Sequence, residues 1–178
     1  MNYQTVLSKA TKILKGQLIK NPKLDCEILL SNALKIEREK LLINLNQEIN
    51  EKDLNNFNNL IDRRKRKEPI AYIIGYKEFW KKKFKVNTNV LIPRPDTEHL
   101  VEEALKLIPN NSSLNILDIG TGSGCILLSI LIERKKCTGV GVDISKNAIK
   151  FKKTQYLAIY IISNQNDTEK TLINYIQF

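Results

Sequence analysis

A run of glycines restricts this chain more than any other feature. Leu117-Asp-Ile-Gly-Thr-Gly-Ser-Gly124 sets three glycines at alternate positions, ahead of the apolar stretch Cys125–Glu133. Glycine reaches backbone conformations closed to other residues and puts no Cβ between main chain and ligand. A short apolar strand (Asn115–Ile119) that runs into such a loop and continues as a helix is the opening half of a βαβ unit. The loop then lies at the helix N-terminus, where backbone N–H groups are free to meet a ligand. A second strand is expected over residues 139–142, parallel to the first, with Asp143 at its end, nineteen residues after Gly124. An acid there can accept hydrogen bonds from two ribose hydroxyls, which places a nucleoside-bearing ligand at the carboxyl edge of the sheet.

The spacing narrows the ligand. A dinucleotide site calls for G-x-G-x-x-G and a P-loop for G-x-x-x-x-G-K-[ST]; this chain has G-x-G-x-G, with Asp118 two residues before its first glycine. A carboxylate sits badly beside a pyrophosphate. It suits the cationic amino group of S-adenosylmethionine, directly or through water. The candidate cofactor-binding residues are therefore Gly120, Thr121, Gly122, Ser123, Gly124, Asp143 and Asp118. The bland alternative is a glycine-rich turn without a ligand; the strand before it, the apolar helix after it and the placing of Asp143 count against that.

The rest of the 178 residues sorts into segments around this unit. Residues 1–68 read as a small helical bundle. Val6, Leu7, Ala10, Ile13 and Leu14 keep a helical period up to Gly16, and Asn21-Pro22 opens a second helix with Leu24, Ile28, Leu29 and Ala33 inside. A short third helix carries Leu41 to Ile43, and a fourth, from about Glu51, carries Leu54, Phe57, Leu60 and Ile61 and stops before Pro69. Residues 69–95 alternate instead (Phe79/Lys81, Phe84/Val86, Val90/Ile92), which predicts a β-hairpin turning at Asn87-Thr88-Asn89, then a stiff connector at Pro93-Arg94-Pro95. Asp96 is expected to cap a helix with Leu100, Val101, Ala104, Leu105 and Ile108. Residues 96–150 then hold the first part of the cofactor domain, and residues 151–178 a divergent tail. The fold class is α + α/β: helical bundle, hairpin linker, and an incomplete Rossmann-like sheet.

Ten basic residues from Arg63 to Lys85 face only Glu68 and Glu78, and so carry most of the net charge of +10. A patch for a polyanion such as RNA is one reading; a solvated helix end and hairpin is the plainer one. The cations of Arg63–Lys67 would also suit the negative end of a helix dipole. Three cysteines (Cys26, Cys125, Cys137) without C-x-x-C spacing argue against a disulfide framework or a zinc site, and the expected compartment is the cytoplasm. His99, the one histidine, has no acidic or cysteine cluster at metal spacing, so no metal is expected. No apolar run is long enough for a membrane span, and a monomer is expected.

Four stretches carry a resemblance to a known family. Pro69-Ile-Ala-Tyr-Ile-Ile-Gly75, Glu78-Phe-Trp80, Val90-Leu-Ile-Pro-Arg-Pro-Asp-Thr-Glu98 and Leu117-Asp-Ile-Gly-Thr-Gly-Ser-Gly-Cys125 run in the order seen in the HemK family, the release-factor glutamine methyltransferases. The resemblance extends over residues 1 to about 150. It implies N5-methylation of the glutamine in the Gly-Gly-Gln loop of peptide chain release factors, with S-adenosylmethionine as methyl donor. By the same resemblance the glycine loop would line the methionine and ribose portions, Asp143 would hold the ribose, and residues 1–68 would dock the release factor. Arg94 and Glu98 would fall in a signature near the cofactor. The sister enzyme that methylates a ribosomal-protein glutamine is the alternative within the family, and a non-catalytic remnant or a release-factor- or RNA-binding module is the alternative outside catalysis.

The family's chemistry resides in an Asn-Pro-Pro-Tyr motif, whose Asn side chain and proline carbonyl orient the substrate amide. No proline follows Pro109 in this sequence, so no catalytic residue is named. The departure from the family pattern starts near Phe151, and a reading-frame shift there is the simplest expectation. Physically, a sheet reduced to two or three strands is expected to expose the edge of Asn115–Ile119 and to take part of the cover from Cys125–Glu133, with poor solubility or a molten C-terminal half as the result.

Overall fold

The computed structural model describes residues 1–148. The chain divides into two compact units, Met1–Ile74 and Gly75–Phe178.

The first unit is built from helices α1 (Tyr3–Gly16), α2 (Pro22–Leu34), α3 (Arg38–Ile43), α4 (Glu51–Lys65) and the short α5 (Ile70–Ile74). Side-chain caps start two of them. Asn2 accepts from the Thr5 N–H at 3.0 Å, and Asn50 accepts from the Asp53 N–H at 2.9 Å. Pro22 occupies the first turn of α2, but Asn21 contributes no side-chain cap bond, so the preset proline φ is what favours this start. Val6, Ala10 and Leu14 of α1 meet Leu29, Leu30 and Ala33 of α2 and Phe57 and Ile61 of α4 in one core. Two ion pairs cross this bundle: Arg64 Nε to Asp25 Oδ2 at 2.7 Å and Arg38 Nη2 to Glu27 Oε2 at 2.6 Å. Arg63 grips Glu68 through two bonds and also donates to the Tyr72 and Ile73 carbonyls at 3.3 and 3.2 Å, which closes the end of α5. Helix α5 thus occupies residues that the alternating pattern assigns to the hairpin segment.

The second unit opens with a hairpin of β1 (Tyr76–Phe79) and β2 (Lys82–Lys85), antiparallel, with Phe79 opposite Lys82. The hairpin turn is Trp80-Lys81, not Asn87-Thr88-Asn89. Both residues lie in the left-handed region, at φ 49° and 57°, as a two-residue type I′ turn demands. Neither is a favoured residue there, and tertiary bonds hold Trp80 in place. The Trp80 N–H donates to Glu98 Oε1 at 2.8 Å and its indole N–H to Glu133 Oε1 at 3.0 Å. Asn87-Thr88-Asn89 makes a separate turn beyond the hairpin, where Asn87 Oδ1 accepts from the Asn89 N–H at 2.9 Å. Asp96 does not cap the next helix. It sits inside a 3-10 turn, Pro95–Thr97, and α6 (Glu98–Leu107) follows without a side-chain cap bond.

Strands β3 (Asn115–Ile119) and β4 (Thr138–Val142) pair in parallel from Asn115↔Thr138 to Ile119↔Val142, with α7 (Cys125–Glu133) between them in sequence. Helix α7 covers the face that carries Ile116 and Gly139. The expected loss of cover over α7 is not seen: Leu127, Leu128 and Ile130 are buried, Cys125, Leu128 and Ile130 in a cluster with Val101 of α6 and Phe79 and Phe84 of the hairpin. Phe79 and Phe84 meet edge to face, 6.0 Å between centroids. The opposite face of β3 is bare, with Leu117 60% and Ile119 79% exposed, and among the described residues β3 has β4 as its one partner.

Candidate functional site

The glycine loop is fastened to the end of β4. The Val142 carbonyl accepts from two successive loop amides, Gly120 at 2.8 Å and Thr121 at 3.0 Å, so the parallel ladder continues into the loop. The Gly124 N–H closes the loop on the Thr121 carbonyl at 2.7 Å, and the Gly124 carbonyl accepts the Leu128 N–H at 3.0 Å as α7 begins. Gly122 takes a left-handed backbone that glycine adopts most cheaply: φ is +48°, and among the described residues an added Cβ would meet nothing nearer than the Gly120 carbonyl at 3.8 Å. The requirement is therefore conformational and not steric.

Asp143 is the second fastening. Its Oδ2 accepts the Gly122 N–H at 2.8 Å and its Oδ1 the Ser145 N–H at 2.9 Å. Ser145 Oγ in turn accepts from the Ala148 N–H at 3.2 Å, a helix-capping bond. Asp143 and the loop are thus joined directly. Asp118 stands on β3 just before the loop, and its Oδ2 is buried with no hydrogen-bond partner among the described residues. An orphaned carboxylate oxygen of this kind is costly unless a cation or donor meets it.

The remaining candidates divide. Thr121 and Ser123 are buried, and the Thr121 side chain is wedged over Gly141, its Oγ1 and Cγ2 2.8 and 2.9 Å from where a Cβ would stand. Arg94 is exposed and forms no ion pair among the described residues. Glu98 is committed to the Trp80 N–H. His99 is exposed, 3.3 Å from Glu102. Gly139 and Gly141 escaped the sequence reading, although a Gly-x-Gly inside a strand is the signal of close approach by a neighbouring element. Gly139 admits Leu127, and Gly141 admits Thr121.

The basic run is divided between the two units. In the first, Arg63, Arg64 and Lys65 are all paired, with Glu68, Asp25 and Asp62. In the second, Lys83 stands 5.1 Å above the Tyr76 ring. The Arg63 bonds hold the Glu68 carboxyl below its ordinary value, while burial is the main cause that pushes the Cys26 thiol up to about 11. Among the described residues no cluster of His, Cys, Asp and Glu could hold a metal, and no helix is long and apolar enough to cross a membrane.

Residues 5–75 match the PrmC N-terminal domain family. The chain is 43% identical over 147 residues to the release factor glutamine methyltransferase of Coxiella burnetii, covering 81% of this chain and 53% of that one. It is 40% identical over 136 residues to the protein of the same name from Caulobacter vibrioides, covering 76% and 47%. With that of Buchnera aphidicola it shares 43% over 159 residues, covering 89% and 57%. The chain spans about half the length of the curated relatives it matches.

Proposed function

We propose, for a chain that belongs to the HemK (PrmC) family, that its second unit binds S-adenosylmethionine and that its first unit docks a peptide chain release factor. One observation carries the reading: the glycine loop and Asp143 meet at the end of a parallel βαβ unit, beside a buried carboxylate oxygen that has no partner among the described residues. The residues suit the cofactor's two polar ends. Asp118 Oδ2 is matched to the amino group of the methionine portion, a cation that would end its isolation. A carboxylate has about four acceptor sites; Asp143 uses two for main-chain N–H groups and keeps the others for ribose hydroxyls. Gly120, Thr121, Gly122, Ser123 and Gly124 would lie along the methionine and ribose portions, Thr121 through its main chain.

S-Adenosylmethionine, when bound, supplies an electrophilic methyl group on a sulfonium. Everything else asked of these residues is binding and orientation. In the family reading the acceptor is the glutamine amide of the release factor's Gly-Gly-Gln loop, in the cytoplasm. Amide nitrogen is a weak nucleophile and needs groups that hold its NH₂. The 178 residues hold no Asn-Pro-Pro-Tyr, so binding without turnover is the expected behaviour of this chain. Isothermal titration of the chain with S-adenosylmethionine tests the first part, and one-to-one binding is expected; absence of heat and of any thermal shift at millimolar cofactor would refute it. Incubation with release factor and labelled cofactor tests the expected absence of turnover, and a methylated glutamine would overturn it.

A further inference from the structure

We propose that Asp143 is a positioning residue that sets the glycine loop before any ligand arrives. The two bonds of its carboxylate have different partners. One oxygen takes the N–H of Gly122, the loop's central glycine, and the other takes the N–H of Ser145, where the chain turns into the next helix. The carboxylate therefore ties the end of one strand's loop to the start of the segment after the other strand. Hydrogen bonds to an ionised acceptor are shorter and stronger than neutral ones. Gly122 needs that hold. At φ +48° a Cβ there would meet, among the described residues, only the Gly120 carbonyl within 4 Å, and at Gly120, φ +74°, a Cβ would meet nothing within 4 Å. Thr121 and Ser123 are buried and pack the loop on either side of Gly122, whose own amide is held by Asp143; the Val142 carbonyl holds the first two amides and the Thr121 carbonyl the last.

The consequence concerns how the site recognises its ligand. A loop already shaped in the free chain binds without a further ordering cost. The lone pairs left on Asp143 are then presented by a carboxylate that cannot swivel. This second part rests on the S-adenosylmethionine reading; the latch itself does not.

The test uses the full chain, labelled with ¹⁵N and ¹³C. In the ligand-free protein a scalar coupling across the hydrogen bond from the Gly122 amide to the Asp143 carboxyl carbon is expected, with slow exchange of the Gly122 amide. Asp143→Asn leaves one oxygen where two donors need acceptors. It should speed Gly122 exchange and weaken binding of S-adenosylhomocysteine, each by about 10- to 100-fold. Asp143→Glu, which keeps the charge, should recover part of both. No coupling and a Gly122 amide that exchanges as fast in the parent as in Asp143→Asn would overturn the proposal, and the coupling decides it in the parent even where a variant fails to fold. If the Gly122 amide is latched but S-adenosylhomocysteine does not bind, the cofactor reading falls and the latch stands. If it binds and no latch is found, the reverse holds.

Discussion

Replacing Gly139 with alanine puts a methyl group where helix α7 meets the sheet. The new Cβ would lie 2.6 Å from Leu127 Cδ1, 3.2 Å from its Cγ and 3.1 Å from Leu131 Cδ1. Leu127 is fully buried, so it has no open space to swing into. Overpacking of this kind costs about 1–3 kcal/mol. Alanine's lower unfolded-state entropy returns about 0.4–1 kcal/mol, so a net loss of about 1–2 kcal/mol is expected. Leu127→Ala alone should cost about 2–5 kcal/mol, because it opens a cavity. In the double variant the new methyl occupies part of that cavity. The combined cost should fall short of the sum by about 1 kcal/mol or more, with the Leu131 contact keeping the cancellation incomplete. Urea unfolding followed by Trp80, the single tryptophan and a residue of the same unit, reads the values. Additivity within about 0.5 kcal/mol, or a Gly139→Ala chain more stable than its parent, would refute the packing argument.

Other residues carry separate predictions. Arg64→Met leaves Asp25 buried without its partner and should cost about 3–5 kcal/mol, read by circular dichroism; adding Asp25→Leu should recover most of it. Glu98→Ala removes the acceptor for the Trp80 N–H and should cost about 1–2 kcal/mol, whereas Arg94→Ala should stay within about 0.5 kcal/mol of the parent. Cys26 keeps its proton in the folded chain up to about 11, against 9.0 for the ordinary thiol, with burial as the main cause. The unfolded chain ionises first, so stability should be level below pH 9 and fall as pH rises to about 11. Cys26→Ala should flatten that stretch of the curve.

What the sequence made legible follows from how local each signal is. Strand β3 and helix α7 begin and end where the apolar runs and the glycines say they do, because a strand, a glycine loop and an apolar helix in succession have one compact arrangement. The pairing of Asp143 with the loop was legible only as proximity; that the partner is the Gly122 amide depends on a turn no residue type announces. The hairpin was misplaced for a related reason. Asn87-Thr88-Asn89 has turn chemistry of its own, while Trp80-Lys81 has none, and Trp80 is held by glutamates far along the chain, Glu98 and Glu133. Asp96 looked like a cap, but Pro95 ahead of it favours a tight first turn and the helix starts after it. Helix α5 is too short for a period to show.

The bond that Val142 makes to two loop amides has a consequence for how binding would be measured. The cradle is the last rung of the β3–β4 ladder, so it exists only when the two strands are aligned one way. A slip by one residue turns every side chain to the other face, takes the carbonyl from Gly120 and carries Asp143 away from Gly122. Chains caught in such a slip would have no weakened site; they would have none. In a titration they would appear as a fraction of sites below one per chain at unchanged affinity, and the ligand would serve as a count of correctly aligned sheets.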